Sequence, residues 1–189
     1  RNRAYTTQNG TANSSTTIQN GNNNYAGAYQ TRTDNTSTVT QVGDSNVAST
    51  AQYGTGNDSS ISQSGASNAS YSHQYGNDST ASVTQSGTGN FSHFDQSGTT
   101  QDVTVSQTGD ANWTYTNQVG DNHTASVTQT GTGNSATNYQ RNSGNNADVT
   151  QNGDANSSLV NQNAANASSA VVDQNGNGNS SDIVQQGTG

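Results

Sequence analysis

Residues 41–52 read Gln-Val-Gly-Asp-Ser-Asn-Val-Ala-Ser-Thr-Ala-Gln, and this pattern recurs along the chain. The unit is Gln-x-Gly-x-x-Asn-x-[Ala/Ser] followed by three residues and the next Gln. Gln returns every 11 residues as far as Gln162, then after 12 residues at Gln174 and after 11 at Gln185. A register kept over 17 units indicates a repeat architecture, because composition alone does not fix spacing.

Three positions of the unit supply the residues that we expect to build the structure. The Gln positions, expected in ladders, are Gln8, Gln19, Gln30, Gln41, Gln52, Gln63, Gln74, Gln85, Gln96, Gln107, Gln118, Gln129, Gln140, Gln151, Gln162, Gln174 and Gln185. The Asn positions, five residues later, are Asn13, Asn24, Asn35, Asn46, Asn57, Asn68, Asn90, Asn112, Asn134, Asn145, Asn156 and Asn179. The turn glycines, two residues after Gln, are Gly10, Gly21, Gly43, Gly54, Gly65, Gly76, Gly87, Gly98, Gly109, Gly120, Gly131, Gly153, Gly176 and Gly187.

The unit predicts a short strand followed by a tight arc. From the Asn onward the marked residues occupy every second position, so they share one face of a strand. The Gly follows the Gln where the chain has to turn, and a positive φ is useful there. A helix is disfavoured, because Gly recurs in every unit and no apolar stripe of period 3.6 is present.

A longer period of 22 residues joins two unlike strands into one coil. One set of strands carries outward aromatic residues, among them Tyr25, Tyr29, Tyr71, Phe91, Trp113, Tyr115 and Tyr139. The other set carries a β-branched residue that we assign to the core, at Val39, Ile61, Val83, Val105, Val127 and Val149. We therefore predict an all-β fold, a β-solenoid or cross-β stack of about eight strand-arc-strand coils with two facing parallel sheets, as a single domain over residues 1–189.

Stacked coils would place each residue about 4.8 Å from its equivalent in the next coil. Gln and Asn amides can then bond to the copies above and below, which satisfies polar groups that are costly to bury. The extra residue before Gln174 would invert a strand if it stayed in the strand. We therefore expect a longer arc or a bulge within Asn163–Asp173.

Composition excludes several classes of protein. Asn, Gln, Ser, Thr and Gly make up about two-thirds of the 189 residues, which by itself favours disorder, and there is no Cys for disulfides or thiolate metal sites. A net charge of −8 with 4 basic residues disfavours nucleic-acid binding, and no apolar run is long enough to span a membrane. We find no His or carboxylate cluster at ligand spacing around His73 and His93, so we predict no metal site and no cofactor. No catalytic constellation is apparent, so we predict no enzyme.

The units Gln41-x-Gly43-x-x-Asn46-x-Ala48-x-x-x-Gln52 and Gln85-x-Gly87-x-x-Asn90-x-Ser92 resemble the curlin repeat of bacterial curli amyloids. The likeness extends from about Ala4 to Gly187. It implies an extracellular structural subunit of a cell-surface fibre in the biofilm matrix. The partners that the resemblance implies are further copies of the chain, a nucleator subunit and an outer-membrane secretion pore.

The first and last units are similar to the internal ones, and neither end carries a Pro, a Lys cluster or an amphipathic helix. Since exposed strand edges are templates for further strands, we predict end-to-end self-assembly. Three alternatives stay open. The first is an ice-binding β-solenoid, which would use the hydroxyls that flank each core Val or Ile as a flat face. The second is an adhesin stalk that contains this chain as a fragment. The third is a disordered linker, which the 11-residue register disfavours.

Overall fold

The computed structural model describes residues 1–164 and 167–187, and the regular secondary structure of these residues is β-strand. In chain order the strands are β1 (Arg3–Thr11), β2 (Ser14–Asn20), β3 (Tyr25–Thr33), β4 (Thr36–Asp44), β5 (Val47–Gln52), β6 (Asp58–Ala66), β7 (Ala69–Gln74), β8 (Thr80–Thr88), β9 (Phe91–Thr99), β10 (Asp102–Asp110), β11 (Trp113–Asp121), β12 (Thr124–Thr132), β13 (Ser135–Ser143), β14 (Asn146–Asn152), β15 (Ser157–Ala164), β16 (Ser169–Asn175) and β17 (Ser180–Gly187).

The strands form two parallel sheets that the chain visits alternately. The odd-numbered strands make a nine-stranded sheet in the order β1 to β17, and the even-numbered strands make an eight-stranded sheet in the order β2 to β16. Neighbouring strands pair in parallel with an offset of 22 residues, as Gln41 does with Gln63, except for the last pair of each sheet, where the offset is 23. The prediction of an all-β solenoid of about eight coils with two facing parallel sheets is confirmed.

The extra residue is accommodated without loss of register. Strands β14 and β16 pair with an offset of 23 residues. Asn142 still bonds to Ala164, 22 positions on, whereas Asn145 Oδ1 accepts the N–H of Ser168, 23 positions on. The added residue therefore lies between Ala164 and Ser168. The shape of the arc at residues 165–166, inside the segment Asn163–Asp173 that we expect to be longer, lies outside the described residues.

The core is a thin layer between the two sheets. Along the internal strands buried and more exposed residues alternate, as the pleat requires. Strand β5 departs from this pattern, because Thr50, Ala51 and Gln52 are all buried. The largest buried side chain is Phe94, which is stacked between the smaller Ser72 and Thr116. Sequence patterns did not single out Phe94, because the other aromatic residues of its sheet face outward. The predicted core positions are buried and stacked in one column, at Val39, Ile61, Val83, Val105, Val127 and Val149.

Each arc that the structure describes in full contains one or two left-handed residues. In the arc after β4, Gly43 has φ +108° and Ser45 has φ +61°. A Cβ on Gly43 would lie 2.0 Å from the carbonyl oxygen of Gly65 in the next coil, so close stacking requires Gly there. Ser45 is four residues after Gln41, a position that the sequence pattern did not mark. Its equivalents among the described residues also have positive φ although no single residue type occupies them, since Asn, Asp, Ala, Ser, Thr and Gly all occur.

Three of the predicted turn glycines do not have a positive φ. Gly54 and Gly76 follow strands that end earlier than their neighbours, at Gln52 and Gln74. In these two arcs the left-handed residues are Gly56 and Asp78, each two positions after the glycine. A Cβ on either glycine would still collide with the carbonyl of the next coil. Gly187, the third, ends β17, and no atom of the described residues lies within 4 Å of such a Cβ.

Candidate functional site

Two ladders of Gln side chains run along the solenoid, one in each sheet. The Nε2 atom of each Gln donates to the Oε1 atom of the next at 2.7–3.1 Å, always in the direction of the later coil. One ladder joins Gln8, Gln30, Gln52, Gln74, Gln96, Gln118, Gln140, Gln162 and Gln185. The other joins Gln19, Gln41, Gln63, Gln85, Gln107, Gln129, Gln151 and Gln174.

Each internal Gln also ties the two sheets together. Gln41 Nε2 donates a second hydrogen bond to the carbonyl oxygen of Tyr25, the first residue of the facing strand, at 3.0 Å. The equivalent bond recurs along the solenoid, for example from Gln63 to Val47 and from Gln185 to Ser169. Both amide hydrogens and the amide oxygen therefore have partners, which removes the free-energy cost of leaving a buried amide unpaired.

An Asn ladder lines one row of arcs without interruption. The Oδ1 atom of each Asn accepts the backbone N–H of the next Asn at 2.9–3.1 Å. The Nδ2 atom of Asn46 donates to the carbonyl of Gly65, so the side chain also fixes the neighbouring arc. The members of this ladder are Asn2, Asn24, Asn46, Asn68, Asn90, Asn112, Asn134, Asn156 and Asn179.

The ladder in the other row of arcs begins at Asn13, Asn35 and Asn57 and then changes composition. Ser79 accepts the N–H of Gln101 at 3.4 Å, but the buried Oε1 atom of Gln101 has no hydrogen-bond partner among the described residues. The ladder resumes at His123, whose Nδ1 atom accepts the N–H of Asn145 at 3.2 Å. The ladder of side-chain hydrogen bonds in this row of arcs is therefore interrupted between Gln101 and His123.

His123 is buried in the place that Asn occupies elsewhere. Its Nε2 atom lies 3.2 Å from the carbonyl oxygen of Val119, which fits a neutral ring with the proton on Nε2 and Nδ1 as acceptor. Burial lowers the pKa of His123, and the Val119 and Asn142 carbonyls and the Asp121 charge oppose that effect only in part. The neutral ring is therefore the form that this arc accommodates.

The outward face of the nine-stranded sheet brings together His73, His93 and Asp95. The Oδ1 atom of Asp95 lies 3.0 Å from His73 Nδ1 and 3.3 Å from His93 Nε2. Hydrogen bonds from the two rings hold the pKa of Asp95 well below its usual range, although burial acts in the opposite direction. Our expectation that no His and carboxylate residues cluster at ligand spacing is wrong, because the 22-residue register places His73 beside Asp95 on the adjacent strand.

Outward aromatic rings form a continuous band around this cluster. Tyr53 and Tyr75 stack at 5.1 Å between ring centroids, and Phe91 and Trp113 stack at 6.2 Å. The Tyr115 hydroxyl donates to Asp95 Oδ2 at 3.3 Å, which links the band to the cluster. Burial and the nearby Asp95 charge raise the pKa of Tyr115.

Comparison with protein families places the curlin associated repeat on residues 33–65, 60–87, 76–109 and 102–131. Together these segments span just over half of the chain. The chain belongs to the curlin-repeat family. The curlin segments include the coils in which the second Asn ladder departs from Asn at Ser79, Gln101 and His123.

A search of curated proteins finds no match. Among the described residues, no helix has the length and apolar character needed to cross a membrane.

Proposed function

We propose that this curlin-repeat chain is a structural subunit of an extracellular fibre on the cell surface, within the biofilm matrix. Chains would assemble end to end by adding coils of one chain to coils of another. The observation that carries this proposal is the single direction of both Gln ladders. Because every coil offers donors to one side and acceptors to the other, any coil can act as a template for the next.

The outermost strands of the described residues support this mode of growth. Strand β1 has a neighbour on one side only, and its inward residues Ala4 and Gln8 are exposed, whereas their equivalents Ala26 and Gln30 are 1% and 0% exposed. A further coil on this side would bury them as the internal coils are buried. Such an edge is a template for strand addition.

The two edges are complementary in hydrogen bonding. Gln8 Nε2 is bound to Gln30, so the acceptor Oε1 of Gln8 faces the open side. Gln185 donates from Nε2 to the Ser169 carbonyl, and its Oε1 atom accepts the ladder bond from Gln162. Among the described residues this leaves one Nε2 hydrogen of Gln185 for a following coil. Head-to-tail stacking of two copies would therefore continue the ladders in the same direction.

Family membership supports the remaining parts of the proposal. The curlin repeat is a structural repeat, so we assign the chain no catalytic role. We further propose that the whole of residues 1–189 acts as one repeat domain. Export through an outer-membrane pore and nucleation by a minor subunit would complete the assembly route.

Seeded growth tests the proposal. Purified chain is incubated with and without sonicated fibres of the same chain, and fibre mass is followed by sedimentation and electron microscopy. We expect seeds to remove the lag phase. A chain that stays monomeric with seeds present contradicts the proposal, and thermal hysteresis of that monomer would favour an ice-binding solenoid instead.

A further inference from the structure

We propose that His73, His93 and Asp95 bind a divalent transition-metal ion, such as Zn²⁺, on the outward face of the nine-stranded sheet. All three residues belong to β7 and β9 of one chain, so the site does not depend on the proposed assembly. Both imidazole rings direct a nitrogen at the same oxygen, Asp95 Oδ1. Three ligand atoms that converge on one point are the first requirement for a metal site.

The distances fit a metal ion with little rearrangement. The nitrogen-to-oxygen distances are 3.0 and 3.3 Å, and the three ligand atoms all lie within 4.8 Å of one another. Bonds of about 2.0–2.1 Å in a tetrahedral zinc site place ligand atoms roughly 3.3 Å apart. Small side-chain rotations would therefore bring all three atoms into coordination.

Neighbouring groups hold the three ligands in place. His73 pairs directly with Asp95 across the parallel strands, and His93 precedes Asp95 by two residues on the same face. The His73 and His93 rings are in edge contact at 5.2 Å, and the His93 ring contacts Tyr115 at 5.4 Å. Because the Tyr115 hydroxyl bonds to Asp95 Oδ2, it orients the carboxylate and leaves Oδ1 for the metal.

Exposure and ligand type define the class of ion. The side chains of His73, His93 and Asp95 are 28%, 29% and 25% exposed, so an ion can enter and water can complete its coordination. Two imidazoles with one carboxylate suit Zn²⁺, Cu²⁺ and Ni²⁺. Ca²⁺ and Mg²⁺ prefer oxygen ligands and should not bind here.

Titration calorimetry of the tag-free full chain with Zn²⁺ at pH 7.5 tests the site. We expect one Zn²⁺ per chain, affinity at least tenfold weaker in His93→Gln and in Asp95→Asn, and no uptake of Ca²⁺ at the same concentrations. The matched control is His123→Asn, which removes the third histidine of the chain and should leave Zn²⁺ binding unchanged. Circular dichroism confirms that each variant keeps its β-structure.

Two results would overturn the proposal. One is the absence of Zn²⁺ binding to the unsubstituted chain. The other is binding that persists in both His93→Gln and Asp95→Asn, which would place the ion elsewhere. If a variant fails to fold, electron paramagnetic resonance of the unsubstituted chain with Cu²⁺ decides the question. We expect coupling to two imidazole nitrogens, and a spectrum without imidazole coupling contradicts the site.

Discussion

The side chain of Gln41 donates from Nε2 to Oε1 of Gln63 at 2.8 Å, 22 residues further along the chain. Both residues are fully buried, and Gln and Asn together make up nearly half of the buried residues, beside Ala, Val, Ser and Thr. The bond is repeated in every coil, so stability comes from repetition of one contact. This relationship explains how a chain poor in large apolar residues forms an ordered structure.

Replacing Gln41 and Gln52 together by Ala should destabilise the solenoid and slow fibre growth. The change removes one member of each ladder and leaves buried amide groups of neighbouring coils without partners, at about 1–3 kcal/mol for each orphaned group. The matched control replaces the outward residues Thr38 and Ser49 of the same two strands by Ala. Guanidinium midpoints and seeded growth rates are compared, and equal values for the two double variants would contradict the role of the ladders.

Gly43→Ala should prevent regular stacking of the adjacent coils. Its Cβ would lie 2.0 Å from the Gly65 carbonyl oxygen, where backbone has to move. Gly133 also has a positive φ, but a Cβ there would lie more than 4 Å from the other described residues apart from its chain neighbours. Gly133→Ala should therefore cost only the backbone strain of about 1–2 kcal/mol. The free energies of unfolding of the two variants separate the effect of the collision from that of backbone strain. If Gly43→Ala lowers the free energy of unfolding no more than Gly133→Ala does, the collision is absent.

His123 should make stability depend on pH. Its pKa is lowered in the folded chain by burial, so the unfolded chain binds a proton more readily. Stability is then complete above the unfolded value of about 6.5 and falls as the pH drops from there towards the lower folded pKa. Protonation would also remove the Nδ1 acceptor that Asn145 uses. Guanidinium midpoints between pH 7.5 and 5 should show the loss.

The control for this pH effect is His123→Asn, which places the residue of the other coils in this arc. The guanidinium midpoint of this variant should change less between pH 7.5 and 5 than that of the unsubstituted chain. Asp95 and Asp121 have lowered pKa values, so they titrate below this range. An equal pH dependence of the variant and the unsubstituted chain would exclude His123 as the cause.

Asn138→Val should stabilise the chain. Asn138 is 0% exposed, and neither its Oδ1 nor its Nδ2 atom has a hydrogen-bond partner among the described residues. Its neighbour in the next coil is Val160, so a Val fits the column. Removing an unpaired buried amide should gain about 1–3 kcal/mol.

The contrasting variant is Asn134→Val. Asn134 accepts the N–H of Asn156 and donates to the Gly153 carbonyl, so its loss should destabilise the chain. The midpoint of thermal or guanidinium unfolding should therefore rise for Asn138→Val and fall for Asn134→Val. A decrease in stability for Asn138→Val would contradict the assignment of that amide as unpaired.

The register of Gln, Gly and Asn was sufficient to predict the coils, because a solenoid repeats the same local contacts. Residues that depart from the repeat were harder to interpret. The pairing of His73 with Asp95 follows from the 22-residue offset, but it becomes visible only when outward positions of successive coils are compared. The burial of Phe94 could not be predicted from residue type, because the small Ser72 and Thr116 on either side make the space.

X-ray diffraction from aligned fibres of the full chain tests the central claim most directly. If coils of successive chains stack as coils within one chain do, the strands lie across the fibre axis. A strong meridional reflection at about 4.8 Å is then expected. Fibres without that reflection, or a chain that remains a soluble solenoid under seeded conditions, would contradict end-to-end stacking.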